Sequence, residues 1–138
     1  MMSVEFEDNR VKVKSALKNA SIVYLHEACG ELQAQTRRNS RVRSGQTKGS
    51  YGRKVDEAAL VAVIGSDYEN AIWEEFGTGE YALHGDGRKG GWVYKDENGK
   101  RHFTCGKKPN KPMLRAFNAL KGKLIKRAEE VLRTQMGG

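Results

Sequence analysis

The carboxyl-terminal part of the chain carries the pattern that most constrains the fold. After Pro109 and Pro112, apolar residues recur at three- and four-residue steps, the spacing of one face of an α-helix. They are Met113, Phe117, Leu120, Leu124, Ala128 and Val131. Proline is tolerated in the first turn of a helix because no hydrogen bond is lost there. The pattern predicts a helix over residues 112–136 that packs on a core along this stripe.

A second helical pattern lies near the amino terminus. Val13, Leu17, Ala20, Tyr24, Ala28 and Leu32 follow the same spacing, and Asp8 or Asn9 offers a side-chain oxygen that caps a helix. We therefore predict a helix over residues 9–37, preceded by a short strand at residues 3–7. Residues 37–54 then lose all periodicity and predict a mobile basic arm.

The middle of the chain contains short runs typical of strands. "YGRKVD" and "ALVAVIG" predict one hairpin, with the second run buried, and "GWVYK" and "RHFTC" flank an Asn98-Gly99 turn and predict another. Between the hairpins, "YENAIWEEF" predicts a short helix capped by Asp67, with Ile72 and Phe76 on its apolar face. Its acids, Glu69, Glu74 and Glu75, are interpreted as a solvated face.

Together these elements predict a single α+β domain over residues 1–138. Strands that pair with their neighbours in sequence, flanked by long helices, favour an antiparallel sheet of about four to five strands, packed by the amino-terminal and carboxyl-terminal helices. A long glycine-rich loop is expected at residues 77–91.

The charge of the chain is bipolar. The net charge is +8, and residues 37–54 and 107–133 each carry +7, whereas residues 56–80 are acidic and contain no lysine or arginine. The acids of this block are Asp56, Glu57, Asp67, Glu69, Glu74, Glu75 and Glu80. Basic segments favour a polyanionic partner, while opposite charges on one molecule also suit head-to-tail self-association. No apolar run approaches the roughly 20 residues of a membrane span, and two cysteines suggest reduced thiols in a cytosolic protein. We expect no membrane partner.

Gly85, Gly87 and Gly90 form a G-x-G-x-x-G motif, which in dinucleotide-binding proteins follows a strand and opens a helix. Here the motif precedes the strand-like run "WVYK", so no helix amino terminus faces a phosphate. The glycines are interpreted as a flexible loop that becomes ordered against a partner.

Metal and catalytic sites are not predicted. His26 with Cys29 and His102 with Cys105 have a zinc-like spacing, but on a strand the second pair would point to opposite faces. The acids near His84 have no fixed metal-ligand spacing. We therefore expect no catalytic residue, no metal and no cofactor. Two alternatives remain open: a small basic protein that binds nucleic acid without sequence specificity, and a metal-dependent nuclease.

Two segments resemble a known family. "VIGSDYENAIWEEFGTG" and "GKKPNKPMLRAF" are similar to the lambdoid "gene product ten" family of tailed bacteriophages, whose members are neck and tail-completion proteins. Ile64-Gly65-Ser66, Ala71 with Trp73, Glu75-Phe76-Gly77-Thr78-Gly79 and Pro112-Met113-Leu114-Arg115-Ala116 stand at the family's signals. The similarity extends over most of the chain.

The resemblance implies a non-enzymatic subunit of a homo-oligomeric ring, with six subunits or a multiple of six, around the DNA channel of the virion neck. Such a subunit assembles in the cytoplasm of the bacterial host and contacts head-closure or adaptor proteins on one side and tail-terminator or tail-tube proteins on the other. The expected interface residues are Glu75, Phe76, Gly77, Thr78, Gly79, Pro112, Met113, Leu114 and Arg115. Unspecific contact with double-stranded DNA is expected from Arg37, Arg38, Arg41, Arg43 and Lys48.

Overall fold

A computed structural model describes residues 10–41 and 45–135. Its helices are α1 (Arg10–Asn39), α2 (Gln46–Ser50), α3 (Glu69–Phe76) and α4 (Pro112–Gln135). Its strands are β1 (Gly52–Asp56), β2 (Val61–Gly65), β3 (Trp92–Lys95) and β4 (Arg101–Thr104), and Gly79–Tyr81 form a 3-10 turn. The described residues therefore form an α+β structure, as predicted. The strand expected at residues 3–7 lies outside them.

The two long helices pack against each other in antiparallel directions. The Asn39 side chain donates a hydrogen bond to the Pro112 carbonyl (3.1 Å), and farther along the pair the Tyr24 hydroxyl donates to the Leu124 carbonyl (2.8 Å). Leu124 is buried in α4, as the predicted stripe requires, but Phe117, seven residues earlier on the same side of the helix, is exposed. Small buried alanines allow the two helices to approach closely. They are Ala28 and Ala116.

The first hairpin, β1–β2, lies on the other flank of α1. Its strands are antiparallel, with Asp56 opposite Val61 and Lys54 opposite Val63. The prediction that β2 is buried is wrong for one of its two faces, because Val61 and Val63 are exposed while Ala62 and Ile64 are partly buried. Alternate residues of a strand point to opposite faces, and α1 covers only one of them.

The second hairpin confirms the predicted pairing around Asn98-Gly99, with Trp92 opposite Thr104 and Lys95 opposite Arg101. Within the described ranges, β3 and β4 pack against no other helix or strand. The expected sheet of four to five strands is therefore replaced, in this part of the chain, by two separate two-stranded sheets. Turn residues specify pairing within a hairpin, but nothing local in the sequence specifies how two hairpins meet.

The predicted arm at residues 37–54 contains regular structure. The first helix continues to Asn39, and α2 and β1 occupy much of the remainder. Gln33 and Arg37 both donate side-chain hydrogen bonds to the carbonyl of buried Tyr51 (2.8 and 2.7 Å), so α1 anchors the start of β1. Residues 42–44, including the predicted DNA contact Arg43, lie outside the described residues.

Candidate subunit interface

The structure brings the two family-like segments together. The carboxylate of Glu75, in the last turn of α3, accepts hydrogen bonds from the backbone amides of Met113 and Leu114, both at 3.0 Å. The first amides of a helix have no partner within the helix, and the positive end of its dipole favours an anion. Glu75 therefore caps α4 from another element, and Pro112 begins that helix at the position where its missing N–H costs nothing.

The neighbouring Glu74 is the centre of a polar cluster. Its side chain is only 2% exposed. Its carboxylate accepts hydrogen bonds from the Arg41 backbone amide (3.2 Å), from Arg41 Nε (3.1 Å), from Asn110 Nδ2 (2.6 Å) and from Lys107 Nζ. Burial opposes ionisation, but these donors outweigh it and hold the pKa of Glu74 below its usual 4.5. We call Glu74, Glu75 and these contacts the carboxylate junction.

Backbone contacts extend the carboxylate junction beyond α3. The Thr78 amide donates to the Lys107 carbonyl (2.9 Å), and the Lys107 amide donates back to Thr78 Oγ1 (2.8 Å). Gly79 has φ of 61° and lies so close to the Cys105 carbonyl that a Cβ would collide with it. A Cβ on Gly77 would lie 2.8 Å from the Lys107 carbonyl. The glycines of "EFGTG" therefore permit close approach of two backbones.

The predicted orientation of α3 is wrong. Glu69 is exposed, but Glu74 and Glu75, expected to be solvated, are buried, while Ile72 and Phe76 are 58% and 40% exposed. The acids are buried because they have hydrogen-bonding partners just after α1, on the segment that leads into α4, and in the first turn of α4. Nothing in the spacing of Lys107 and Asn110 identifies them as those partners. The helix begins after Tyr68, with no side-chain cap from Asp67.

Burial separates the predicted interface residues into two groups. Glu75, Gly77, Gly79 and Pro112 are buried in contacts within the chain, and Thr78 and Met113 are partly buried. The remaining three, Phe76, Leu114 and Arg115, are exposed. The Phe76 ring lies beside that of His84, with centroids 5.2 Å apart. A subunit contact at this site would therefore depend on these three side chains, and it remains a prediction.

Sequence reasoning missed the apolar surface next to them. Trp73 and Leu83 are both more than 40% exposed, and the Leu83 amide donates to the Phe76 carbonyl (2.8 Å), which places the glycine-rich segment against the end of α3. With Ile72 and Phe76, these residues form what we call the α3 patch. The apolar spacing of α3 carries part of this signal, because it places Ile72 and Phe76 on one face, but it does not identify Trp73 or Leu83.

The predicted DNA contacts have different surroundings. Arg37 donates to the Tyr51 carbonyl, and Arg41 donates both to Glu74 and to the Lys108 carbonyl (2.5 Å). These two guanidinium groups therefore take part in contacts within the chain. Arg38 is exposed and donates to Gln35 on its own helix (2.7 Å), and Lys48 lies in α2. Contact of these side chains with DNA remains a prediction.

The glycines of the G-x-G-x-x-G motif differ from one another. Gly85 and Gly90 have positive φ angles (71° and 84°) and open space where a Cβ would lie, as a flexible loop requires. Gly87 instead lies against the Gly79 carbonyl, so a side chain there would collide with the backbone. The segment is thus in part a packed turn and not only a flexible loop.

Neither His-x-x-Cys pair forms part of a metal site in the described residues. His26 lies 3.2 Å from a Glu57 oxygen, and His102 lies 2.8 Å from an Asp96 oxygen. No group of three or more histidine, cysteine, aspartate or glutamate side chains in residues 10–41 and 45–135 could hold a metal ion. In the same ranges, no helix has the length and apolar character needed to cross a bilayer.

Comparisons with protein-family models, with curated proteins and with solved structures find no match to this chain.

Proposed function

We propose that this chain is a structural, non-enzymatic subunit of the neck or tail-completion region of a tailed bacteriophage or prophage. In this role it forms a homo-oligomeric ring of six subunits or a multiple around the DNA channel. The ring joins the DNA-filled head, through head-closure or adaptor proteins, to the tail-terminator or tail-tube proteins.

The observation that carries this proposal is the position of the α3 patch beside the carboxylate junction. The two segments that resemble the phage family are joined by hydrogen bonds, and apolar side chains of α3 are exposed beside them. Contiguous exposed apolar residues, including a tryptophan, are typical of surfaces that bind another protein. The internal hydrogen bonds support the interface, and Trp73 and Phe76 are its expected anchors.

Electron microscopy of a lysate from a phage that lacks this gene tests the proposal. Separate DNA-filled heads and finished tails are expected, because each half assembles but the two are not joined. Supplying the intact protein should restore joined particles, whereas Trp73→Glu should fail to do so. The matched control Val93→Glu alters a similarly exposed apolar residue on the β3–β4 hairpin. Normal virions in the absence of the protein would refute the proposed role.

The second candidate, a small basic protein that binds nucleic acid without sequence specificity, is favoured by one observation. Lys126 and Arg133 are exposed and seven residues apart, so they lie on the same side of α4. A true binder should lose affinity for double-stranded DNA steeply as salt rises, with a slope set by several phosphates. Under the neck proposal the binding is weak and Lys126→Gln with Arg133→Gln leaves joining intact.

A further inference from the structure

A groove with a volume of about 470 Å³ is lined by residues of α1, β1 and α4. Each of these three elements contributes one basic side chain to it: Arg38 from α1, Arg53 from β1 and Lys123 from α4. The small residues Gly30 and Ala34, about one turn apart on α1, also line it. We call this site the arginine groove. It shares no residue with the α3 patch.

Gly30 is an unusual residue in this groove because it lies in the interior of a long helix, where glycine is less favourable than alanine. The Arg53 side chain accounts for it. A Cβ on Gly30 would collide with Nη1 of Arg53. The missing side chain at residue 30 therefore lets the Arg53 guanidinium lie directly against the backbone of α1, inside the arginine groove.

The acids that line the arginine groove already have basic partners. Glu31 Oε2 lies 3.1 Å from Lys123 Nζ. Glu27 Oε2 lies 3.5 Å from Nε of Arg127, which is outside the groove on α4. Each acid of α1 is thus matched by a base of α4, and neither is available to neutralise the two arginines.

Arg38 and Arg53 keep an unmatched positive charge. Both side chains are exposed, and within residues 10–41 and 45–135 neither forms an ion pair. Arg38 donates one hydrogen bond to Gln35 (2.7 Å). The remaining titratable side chain of the groove, His26, lies 3.2 Å from an oxygen of Glu57. A guanidinium group presents five N–H donors in a planar fork that matches a phosphate group. The arginine groove is therefore suited to bind phosphate.

The positions of the two arginines suit a chain of phosphates better than one isolated anion. Arg53 lies against Gly30, and Arg38 follows Gly30 by eight residues, or about 12 Å along α1. Ala34 lies midway, and its small side chain leaves the space between them open. Double-stranded DNA carries about one negative charge per 1.7 Å of helix axis. Its backbone can supply a phosphate to each arginine, whereas one carboxylate supplies a charge to one of them.

We propose that the arginine groove binds the phosphate backbone of double-stranded DNA, with Arg38 and Arg53 as the contacting residues. This inference rests on the proposed function and identifies the surface that the subunit turns toward the DNA channel. It also changes the set of DNA contacts expected from the sequence. Arg37 and Arg41 of that set make hydrogen bonds within the chain, Arg38 remains, and Arg53 is added.

The binding of a short fluorescent DNA duplex, followed by anisotropy at increasing salt from a low starting concentration, tests the proposal. Arg53→Gln should weaken binding roughly tenfold at about 50 mM salt and lower the slope of log K against log salt by about 0.9, because one phosphate contact is lost. The matched control Lys54→Gln removes the same charge from an exposed neighbour on the opposite face of β1 and should keep the wild-type slope.

Gly30→Ala is a second variant, and it changes no charge. Alanine favours the helix, and the end of the Arg53 side chain can move aside, so the melting temperature should rise. The displaced guanidinium should nevertheless bind the duplex several-fold more weakly. The control is Gly122→Ala in the interior of α4, where no heavy atom lies within 4 Å of the added Cβ. It should raise the melting temperature similarly and leave DNA binding unchanged.

A wild-type protein that does not bind the duplex at low salt would overturn the proposal. Equal losses for Arg53→Gln and Lys54→Gln, or wild-type binding by Gly30→Ala, would do the same. An Arg53→Gln protein that binds DNA normally but no longer joins heads to tails would show that the groove holds an acidic partner protein instead. If the variants lose DNA binding as expected but virions are normal without the protein, the neck role fails and the arginine groove stands.

Discussion

Helices α3 and α4 bury opposite kinds of side chain. In α4 the buried positions include Leu124 and Ala116, whereas α3 buries Glu74 and Glu75 and exposes Ile72. The difference follows from length and partners. A helix of 24 residues makes continuous apolar contact along α1, while one of eight residues is too short to be stable alone and is positioned by the hydrogen bonds of its carboxylates. Apolar spacing therefore locates a buried face only where no polar contact outweighs it.

The apolar contact between α4 and α1 predicts the largest effect on stability. Leu124→Ala should lower the free energy of unfolding by about 3 kcal/mol, because it removes a buried side chain between α1 and α4. The control Leu132→Ala, on the exposed side of the same helix, should cost no more than about 0.5 kcal/mol. Urea unfolding followed by circular dichroism measures both. Equal losses would contradict the packing of α4 on α1.

The carboxylate junction of α3 predicts a smaller loss of stability. Glu74→Ala should lower the free energy of unfolding by about 2 kcal/mol, the value of a buried charged hydrogen-bonding group. The loss is limited because Arg41 and Lys107 are nearly half exposed and regain water. The control Glu69→Ala changes an exposed acid on the same helix and should have little effect. If the two variants unfold alike, the carboxylate junction does not hold α3 in place.

The dependence of stability on pH in the acid range also tests the carboxylate junction. The pKa of Glu74 is lower in the folded protein than its usual 4.5, so ionised Glu74 stabilises the fold above that pH. This contribution to the free energy of unfolding is lost as the pH falls from about 4.5 through the lower pKa that Glu74 has in the folded protein. Glu74→Gln should therefore flatten the decline of stability with falling pH in that window. The melting temperatures of the wild type and of Glu74→Gln are measured across the acid range. If they fall equally steeply with pH, ionised Glu74 does not stabilise the fold.

Weakening the cap that Glu75 provides to α4 should lower the free energy of unfolding by about 1 kcal/mol. Glu75→Gln keeps an oxygen that accepts a hydrogen bond but loses the charge that faces the helix amino terminus. We expect a modest fall in the free energy of unfolding in urea. Glu80→Gln, an exposed acid a few residues later, is the matched control and should unfold like the wild type.

Phe76→Ala should have the smallest effect on stability, below about 1 kcal/mol, because the side chain is 40% exposed. A fully buried phenylalanine at this position would instead cost roughly 3 to 5 kcal/mol. The same variant should nevertheless fail to restore head–tail joining if the α3 patch is the docking surface. A variant that unfolds like the wild type and also joins particles fully would remove Phe76 as an anchor.

The elements that follow from local pattern were predictable, and those that depend on distant partners were not. The spacing of Leu120 and Leu124 located α4, and Asn98-Gly99 located the β3–β4 turn. The orientation of α3 depends on Arg41, which lies 33 residues earlier, and on contacts as far ahead as Leu114. The sequence likewise identified the two family-like segments without showing that Glu75 binds one to the other.

The cap that Glu75 provides also links the local opening of two distant segments. The amides of Met113 and Leu114 are protected from solvent exchange only while Glu75 accepts their hydrogen bonds, which requires α3 to remain docked. Hydrogen exchange at the first turn of α4 therefore reports on a helix that ends 37 residues earlier in the chain. When α3 detaches, these two amides and the buried carboxylates of α3 become accessible together, so a partner that binds α3 only in its docked position should slow exchange at both amides.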